Sequence, residues 1–296
     1  MKKRKIKKSI LFLILLLIIS IFIFIVKNSK KEIKSNNKTN EKEEIKQEKY
    51  SDLEISIMNQ KYYVKENLDR YLNYETKLNL EDFTSLDEET RYIISMVNSN
   101  RDFDYYNNVQ NTDLSKGFLI LVNKYNKLDS DYIPDDLVLI ESKYGISSYL
   151  NKNVYEEYKK MWNAAKEENL NLYIRSPYRS YDTQNKLYER YAQKDGYDKA
   201  DTYSARAGYS EHQTGLAFDV TTPDTSLGTF EGTDEFYWLE KNAYKYGFIL
   251  RYPKGKEDIT GYMYESWHYR YVGKEAAKYI YENNITFEEY YEYFIK

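Results

Sequence analysis

The first apolar positions of the chain form one block. Ile10 to Val26 is broken only by Ser20 and follows a segment in which six of the first eight residues are basic. At ~1.5 Å per residue such a run reaches roughly 25 Å, within the range of a membrane-spanning helix. No small-residue cleavage pattern closes it, since it ends in Ile25-Val26-Lys27, so an uncleaved anchor is expected rather than a signal peptide. The basic cluster then stays on the cytoplasmic side and everything after Val26 lies outside, giving a single-pass protein of the cell membrane. Residues 28–50 mix Lys, Glu and Asn with almost nothing apolar and read as a disordered, solvated stalk.

Beyond the stalk the pattern turns helical. Helices are expected over about 62–78 and 85–98, the second opened by a Ser85/Glu88 capping box and carrying Ile93, Ile94 and Val97 at helical spacing. Residues 51–116 thus form a helical lead-in. From Gly117 the periods alternate. Phe118–Val122, Leu170–Ile174, Gly215–Thr221, Phe248–Arg251 and about His268–Val272 read as strands. Helices are expected over about 153–168, with Val154, Tyr158, Met161 and Ala165 on one face, over Ser180–Gln193, and over about 234–246, closed by Gly247. Two terminal helices follow, the last opened by a Thr286/Glu289 capping box. Strands and helices interleave without strict βαβ repetition. The expectation for 117–296 is an α+β domain, a small mixed sheet flanked by helices with a metal site in a cleft.

Composition narrows the chemistry. A net charge of −3 gives no reason to expect nucleic acid. With no cysteine in the chain, disulfides, thiolate sites, a Cys nucleophile and a lipid-modified Cys are all excluded. Only two histidines occur, so any imidazole chemistry runs through His212 and His268. Both fall in short polar stretches: Ser210-Glu-His-Gln-Thr-Gly-Leu-Ala-Phe-Asp219 and Glu265-Ser-Trp-His268. Gly215 permits a turn that brings His212 and Asp219 to one point. Two imidazoles and a carboxylate form the N/N/O set that suits zinc with one position left open. A carboxylate outside that set must carry the proton, and Glu265 is placed for it. Arg179, in Ser176-Pro-Tyr-Arg-Ser180, supplies a cation for a carboxylate or a developing oxyanion. Each of these residues also has a structural reading, and spacing alone leaves both open.

In combination, Ser-x-His-x-x-Gly-x-Ala-x-Asp, the distant Glu-x-Trp-His and the upstream Tyr-Arg-Ser resemble the VanY-type D-alanyl-D-alanine carboxypeptidases and their LD-carboxypeptidase relatives, over about residues 117–284. The resemblance implies zinc held by His212, Asp219 and His268, a catalytic base at Glu265, and Arg179 binding the substrate carboxylate. Gln184, and more weakly Ser204 and Ser210, are implied as substrate contacts. The chain departs from the family at Ala207, where proline is usual, which touches no chemical group. The implied enzyme is a monomeric zinc carboxypeptidase that removes the C-terminal D-Ala of peptidoglycan stem peptides, with DD or LD specificity open. Endopeptidase, D,D-dipeptidase and inactive wall-binding readings are the alternatives.

Overall fold

The computed structural model describes residues 50–296. The anchor expected over 10–26 and nearly all of the stalk lie outside the described residues. Among the described residues no helix is long and apolar enough to cross a membrane. The described residues fall into two units that divide after Gln60. The described part of the first holds α1 (Asp52–Asn59), opened by a capping box between Ser51 and Glu54.

The second unit begins with α2 (Leu68–Glu75) and α3 (Leu86–Asn98). The helix expected over 62–78 is only this short α2 preceded by a 3₁₀ turn at Lys65–Asn67. The capping box expected at Ser85 forms by half: Ser85 Oγ accepts from the Glu88 N–H, while the Glu88 carboxylate accepts from the Thr84 N–H. The lead-in packs onto later elements of its own unit. Ser95 of α3 donates to Glu289 and lies 3.0 Å from the Tyr293 hydroxyl, while the Tyr62 ring stacks on Tyr293 at 3.5 Å.

Then come β1 (Gln110–Asn111), β2 (Asn126–Lys127), β3 (Leu137–Leu139), β4 (Tyr149–Asn151), α4 (Lys152–Glu167), β5 (Tyr173–Ser176), α5 (Tyr181–Asp195), α6 (Tyr197–Tyr203), β6 (Ala217–Thr221), α7 (Asp234–Asn242), β7 (Phe248–Leu250), α8 (Glu257–Thr260), β8 (His268–Tyr271), α9 (Lys274–Asn283) and α10 (Phe287–Phe294). Thr286 and Glu289 cap α10 reciprocally, as expected. The architecture is α+β. The main sheet has the order β5-β6-β8-β7 and is antiparallel at every pairing, not mixed. Among the described residues the one parallel strand pair, β1 with β2, belongs to a separate two-stranded sheet, and an isolated parallel bridge joins Gly145 to Ile174. The strand expected over 118–122 does not form. A 3₁₀ segment, Leu114–Leu119, is broken by Gly117 at φ 58°, and Ile120–Val122 runs buried outside any strand. The Phe118 and Ile120 carbonyls are satisfied instead by the Arg270 guanidinium, so the segment meets its backbone needs without a ladder.

Strand alternation decides what reaches the site. Phe218 and Val220 of β6, with Tyr269 and Tyr271 of β8, enter the main core with Val154, Tyr158, Met161 and Ala165 of α4. The residues between them, Asp219, His268 and Arg270, therefore share the opposite face. Part of that face is closed by α9 and α10, whose Ala276, Ala277, Ile280, Phe287 and Tyr291 cluster with Ile249 of β7.

Candidate active site

Asp219 and His268 are register partners on neighbouring antiparallel strands. His268 Nδ1 lies 3.1 Å from Asp219 Oδ1. His212 arrives from a separate 3₁₀ turn, Glu211–Thr214, that ends at Gly215 in the left-handed region (φ 65°). A Cβ at Gly215 would stand 2.8 Å from Leu137 Cδ2 and 3.3 Å from the Asn151 nitrogen, so the turn that carries His212 into the sheet face needs glycine. His212 Nε2 then lies 3.6 Å from the same Asp219 oxygen. One donor atom each from His212, Asp219 and His268 falls within 4.8 Å of the others, all three residues being buried.

These separations fit a metal. Donors about 2.0–2.1 Å from one tetrahedral centre stand roughly 3.3–3.4 Å apart. Ring orientation agrees as well. His212 Nδ1 sits 2.9 Å from the Pro177 carbonyl, which fixes the proton there and leaves Nε2 free. Burial, with the Arg179 charge adding to it, holds His212 down to about 3, so the ring is neutral and able to ligate. His268 behaves oppositely: burial alone would lower it, but hydrogen bonds to Asp219 and Glu211 bring it up to about 9. The Asp219 carboxyl, which burial would raise, is held below its ordinary value by His212 and His268.

Glu265 and His268 must bend toward each other to reach one point, and they do. The His268 N–H donates to the Glu265 carbonyl at 3.4 Å, and Glu265 Oε2 comes to 3.6 Å of His268 Nδ1. Burial pushes the Glu265 carboxyl up to about 8; Asp219 and Glu211 add to the rise, while His268 and Arg179 oppose it. Arg179 lines the same cleft, of about 310 Å³. Its guanidinium is braced by Gln184 Oε1 and Ser176 Oγ, both at 2.6 Å. Gln184 is buried and spends its amide N–H on the Ala205 carbonyl, so it acts first on the arginine. Ser204 and Ser210 line the cleft, as do Tyr252, Tyr264 and Trp267. All eight residues singled out in the sequence reach this one cleft.

Two participants were not singled out. Glu211, inside the histidine-bearing stretch, lies 3.4 Å from His268 Nε2. Its only sequence signal is its place beside His212. Tyr252 sets its ring 4.9 Å from that of His268, and nothing in the local sequence marks it among 35 tyrosines.

Residues 147–274 match the model of a family described as VanY, D-alanyl-D-alanine carboxypeptidase. The Bacillus subtilis (strain 168) protein YodJ, provisionally named a carboxypeptidase, is 42% identical over 202 residues, which are 64% of this chain and 74% of YodJ. An Enterococcus faecium D-alanyl-D-alanine carboxypeptidase is 35% identical over 60% of this chain and 58% of its own length. Among solved structures, that of the LdcB LD-carboxypeptidase is 42% identical with a TM-score of 0.59, covering 63% of this chain and 91% of that one. A mutant of the vancomycin resistance D,D-pentapeptidase VanY, solved in complex with Zn(II), is 33% identical with a TM-score of 0.51, covering 58% and 97%.

Proposed function

Since the chain belongs to the VanY family of D-alanyl-D-alanine carboxypeptidases, we propose that it is a zinc-dependent carboxypeptidase that removes the C-terminal D-Ala from peptidoglycan stem peptides. The observation that carries this reading is the convergence of His212 Nε2, His268 Nδ1 and Asp219 Oδ1 with the Glu265 carboxyl beside them. His212, Asp219 and His268 would hold the zinc. When bound, zinc supplies Lewis-acid chemistry: it polarises a carbonyl, makes water nucleophilic near neutral pH and, as a dication, favours the ionised form of a nearby carboxyl.

Glu265 takes a proton from the attacking water and delivers it to the leaving amine as the C–N bond breaks. Its burial suits the task, because a carboxyl raised toward neutrality both accepts and returns a proton readily. Arg179, its planar guanidinium oriented by Gln184 and Ser176, grips the free carboxylate of the terminal residue. That cation favours a carboxypeptidase over an endopeptidase, whose substrate offers no terminal carboxylate at the cut. Ser204 and Ser210 contribute hydroxyls to the wall of the cleft. The basic cluster and the apolar run 10–26 support an anchor that leaves the enzyme outside the membrane, facing the wall.

The test is incubation of the chain with defined tetrapeptide and pentapeptide stems, the products being weighed. Release of one D-Ala from either stem supports the proposal, and which stem is cut assigns the LD or DD bond. Release of the D-Ala-D-Ala dipeptide, or of nothing, overturns it.

A further inference from the structure

Behind His268 lies a cluster of charges that the proposed reaction does not use. Glu211, Arg251, Arg270 and Glu288 are all buried. Glu211 Oε1 accepts from Arg251 Nε at 2.8 Å and from Arg270 Nη1 at 2.7 Å. Arg251 turns its other two nitrogens to the Glu288 carboxylate on α10, at 2.8 and 2.6 Å. Arg270 spends its remaining donors on the carbonyls of Phe118, Ile120 and Tyr271. Two guanidiniums face two carboxylates, so the cluster is balanced and its members need no further partner on grounds of charge. Yet both arginines bond to one Glu211 oxygen only. The other, Oε2, is aimed at His268 Nε2, 3.4 Å away.

We infer that Glu211 is a positioning residue for the metal ligand His268: its Oε2 accepts the Nε2–H and so fixes the ring with the Nδ1 lone pair facing Asp219 and His212. The inference rests on the zinc reading of the site. It gives the two histidines opposite tautomers, each set by a different acceptor. His212 gives its Nδ1–H to the Pro177 carbonyl and presents Nε2; His268 gives its Nε2–H to a carboxylate and presents Nδ1. A carboxylate behind an imidazole also makes the ring a stronger donor than a carbonyl does. The two arginines bond the other oxygen of Glu211 and clamp the carboxylate so that it cannot swing toward the metal point itself.

The experiment uses the full chain in detergent micelles with ¹⁵N-labelled histidine. With only two histidines in the chain, four ring nitrogens are observed. In the zinc-loaded wild type one ring is expected to carry its proton on Nδ1 and the other on Nε2; the same protonated nitrogen in both rings overturns the inference. Chelator competition supplies the second readout. Glu211→Gln is expected to weaken zinc binding by roughly 10–100-fold, the usual effect of losing an outer-shell partner. Glu288→Gln leaves the cluster with the same uncompensated charge but does not touch His268, and its zinc affinity should stay within about threefold of wild type. Equal losses in the two variants would show that charge balance, not ring positioning, is what Glu211 provides. If neither variant folds, the ring spectrum of the wild type decides alone. A wild-type chain that takes up no zinc overturns the zinc reading itself; zinc uptake that Glu211→Gln leaves unchanged overturns only the role of Glu211.

Discussion

Asp219 and His268 face each other across the β6–β8 ladder, so the pairing register of two strands sets the 3.1 Å between Oδ1 and Nδ1. A slip of β8 by one residue against β6 would send His268 into the core and bring Tyr269 out in its place, away from Asp219. Two of the three candidate ligands are therefore fixed by the sheet itself. Asp219→Asn keeps the shape and removes the anionic donor, and should weaken zinc retention by more than the roughly 10–100-fold expected on loss of an outer-shell partner. Chelator competition followed by metal analysis measures this, and stoichiometric zinc held as tightly as in wild type would show that Asp219 is not a ligand.

Glu265→Gln separates the base from the ligands. The amide is the same size but cannot accept a proton, so zinc content should be unchanged while turnover falls by roughly 10²–10⁴-fold. A variant that loses its metal, or one that stays active, would mean Glu265 has another role.

Arg179→Lys preserves the charge and loses the fork that bonds Gln184 and Ser176. Charge-assisted bonds of this kind contribute about 1.5–3 kcal/mol, so kcat/KM should drop roughly 10–100-fold. If the loss lies in KM, Arg179 binds ground and transition states alike; if it lies in kcat, it meets the developing oxyanion.

Gly215→Ala places a Cβ 2.8 Å from Leu137 Cδ2 in a left-handed residue. Backbone strain costs about 1–2 kcal/mol and the crowding adds to it. Chemical denaturation of the variant should show a stability loss of roughly 2–4 kcal/mol with an unchanged m-value. Wild-type stability would contradict the account of the turn.

Lys124 is buried among the rings of Tyr105, Tyr262 and Tyr106 and donates to the Asp201 carbonyl. Burial lowers its ammonium to about 7; Asp201 opposes the fall, while Arg101 and Arg206 assist it. The unfolded chain, with an ordinary lysine at 10.5, binds a proton that the folded chain gives up between these two values. Stability should therefore rise with pH across that window, by about 2 kcal/mol between pH 7 and 9 from this group. In Lys124→Met that part of the rise should vanish, and parallel stability–pH curves for the two chains would refute it.

The convergence of the candidate residues was more legible in the sequence than the fold around them. That His212, Asp219, Glu265 and His268 meet in one cleft could be anticipated because chemistry restricts which residue types serve together and because this chain has only two histidines. The helices with strong stripes, such as α4, could be read from periodicity. Phe118–Val122 could not: an apolar run looks the same whether its carbonyls meet a strand or, as here, the side chain of Arg270 more than a hundred residues later. The sheet was expected to be mixed because strand direction depends on long-range connections that no local pattern records. Glu211 was passed over for a related reason. Its partners Arg251, Arg270 and His268 are distant in sequence, and a glutamate beside a candidate ligand looks like any solvated one.

The Tyr62–Tyr293 stack, reinforced by the hydroxyl contact of Tyr62 with Tyr279 and by the Asn98 bond to the Tyr62 carbonyl, has a mechanical meaning. Tyr62 is the second residue of its unit, and it is clasped by the last two helices. A pull on the chain from its N-terminal side is thus taken up at α9 and α10, and the load must shear two flat rings before it can unwind α2. The strands that hold His268 and Asp219 lie beyond that clasp. Force on the N-terminal side of Tyr62 would be borne by the closing helices first, leaving the cleft geometry intact until the clasp gives way.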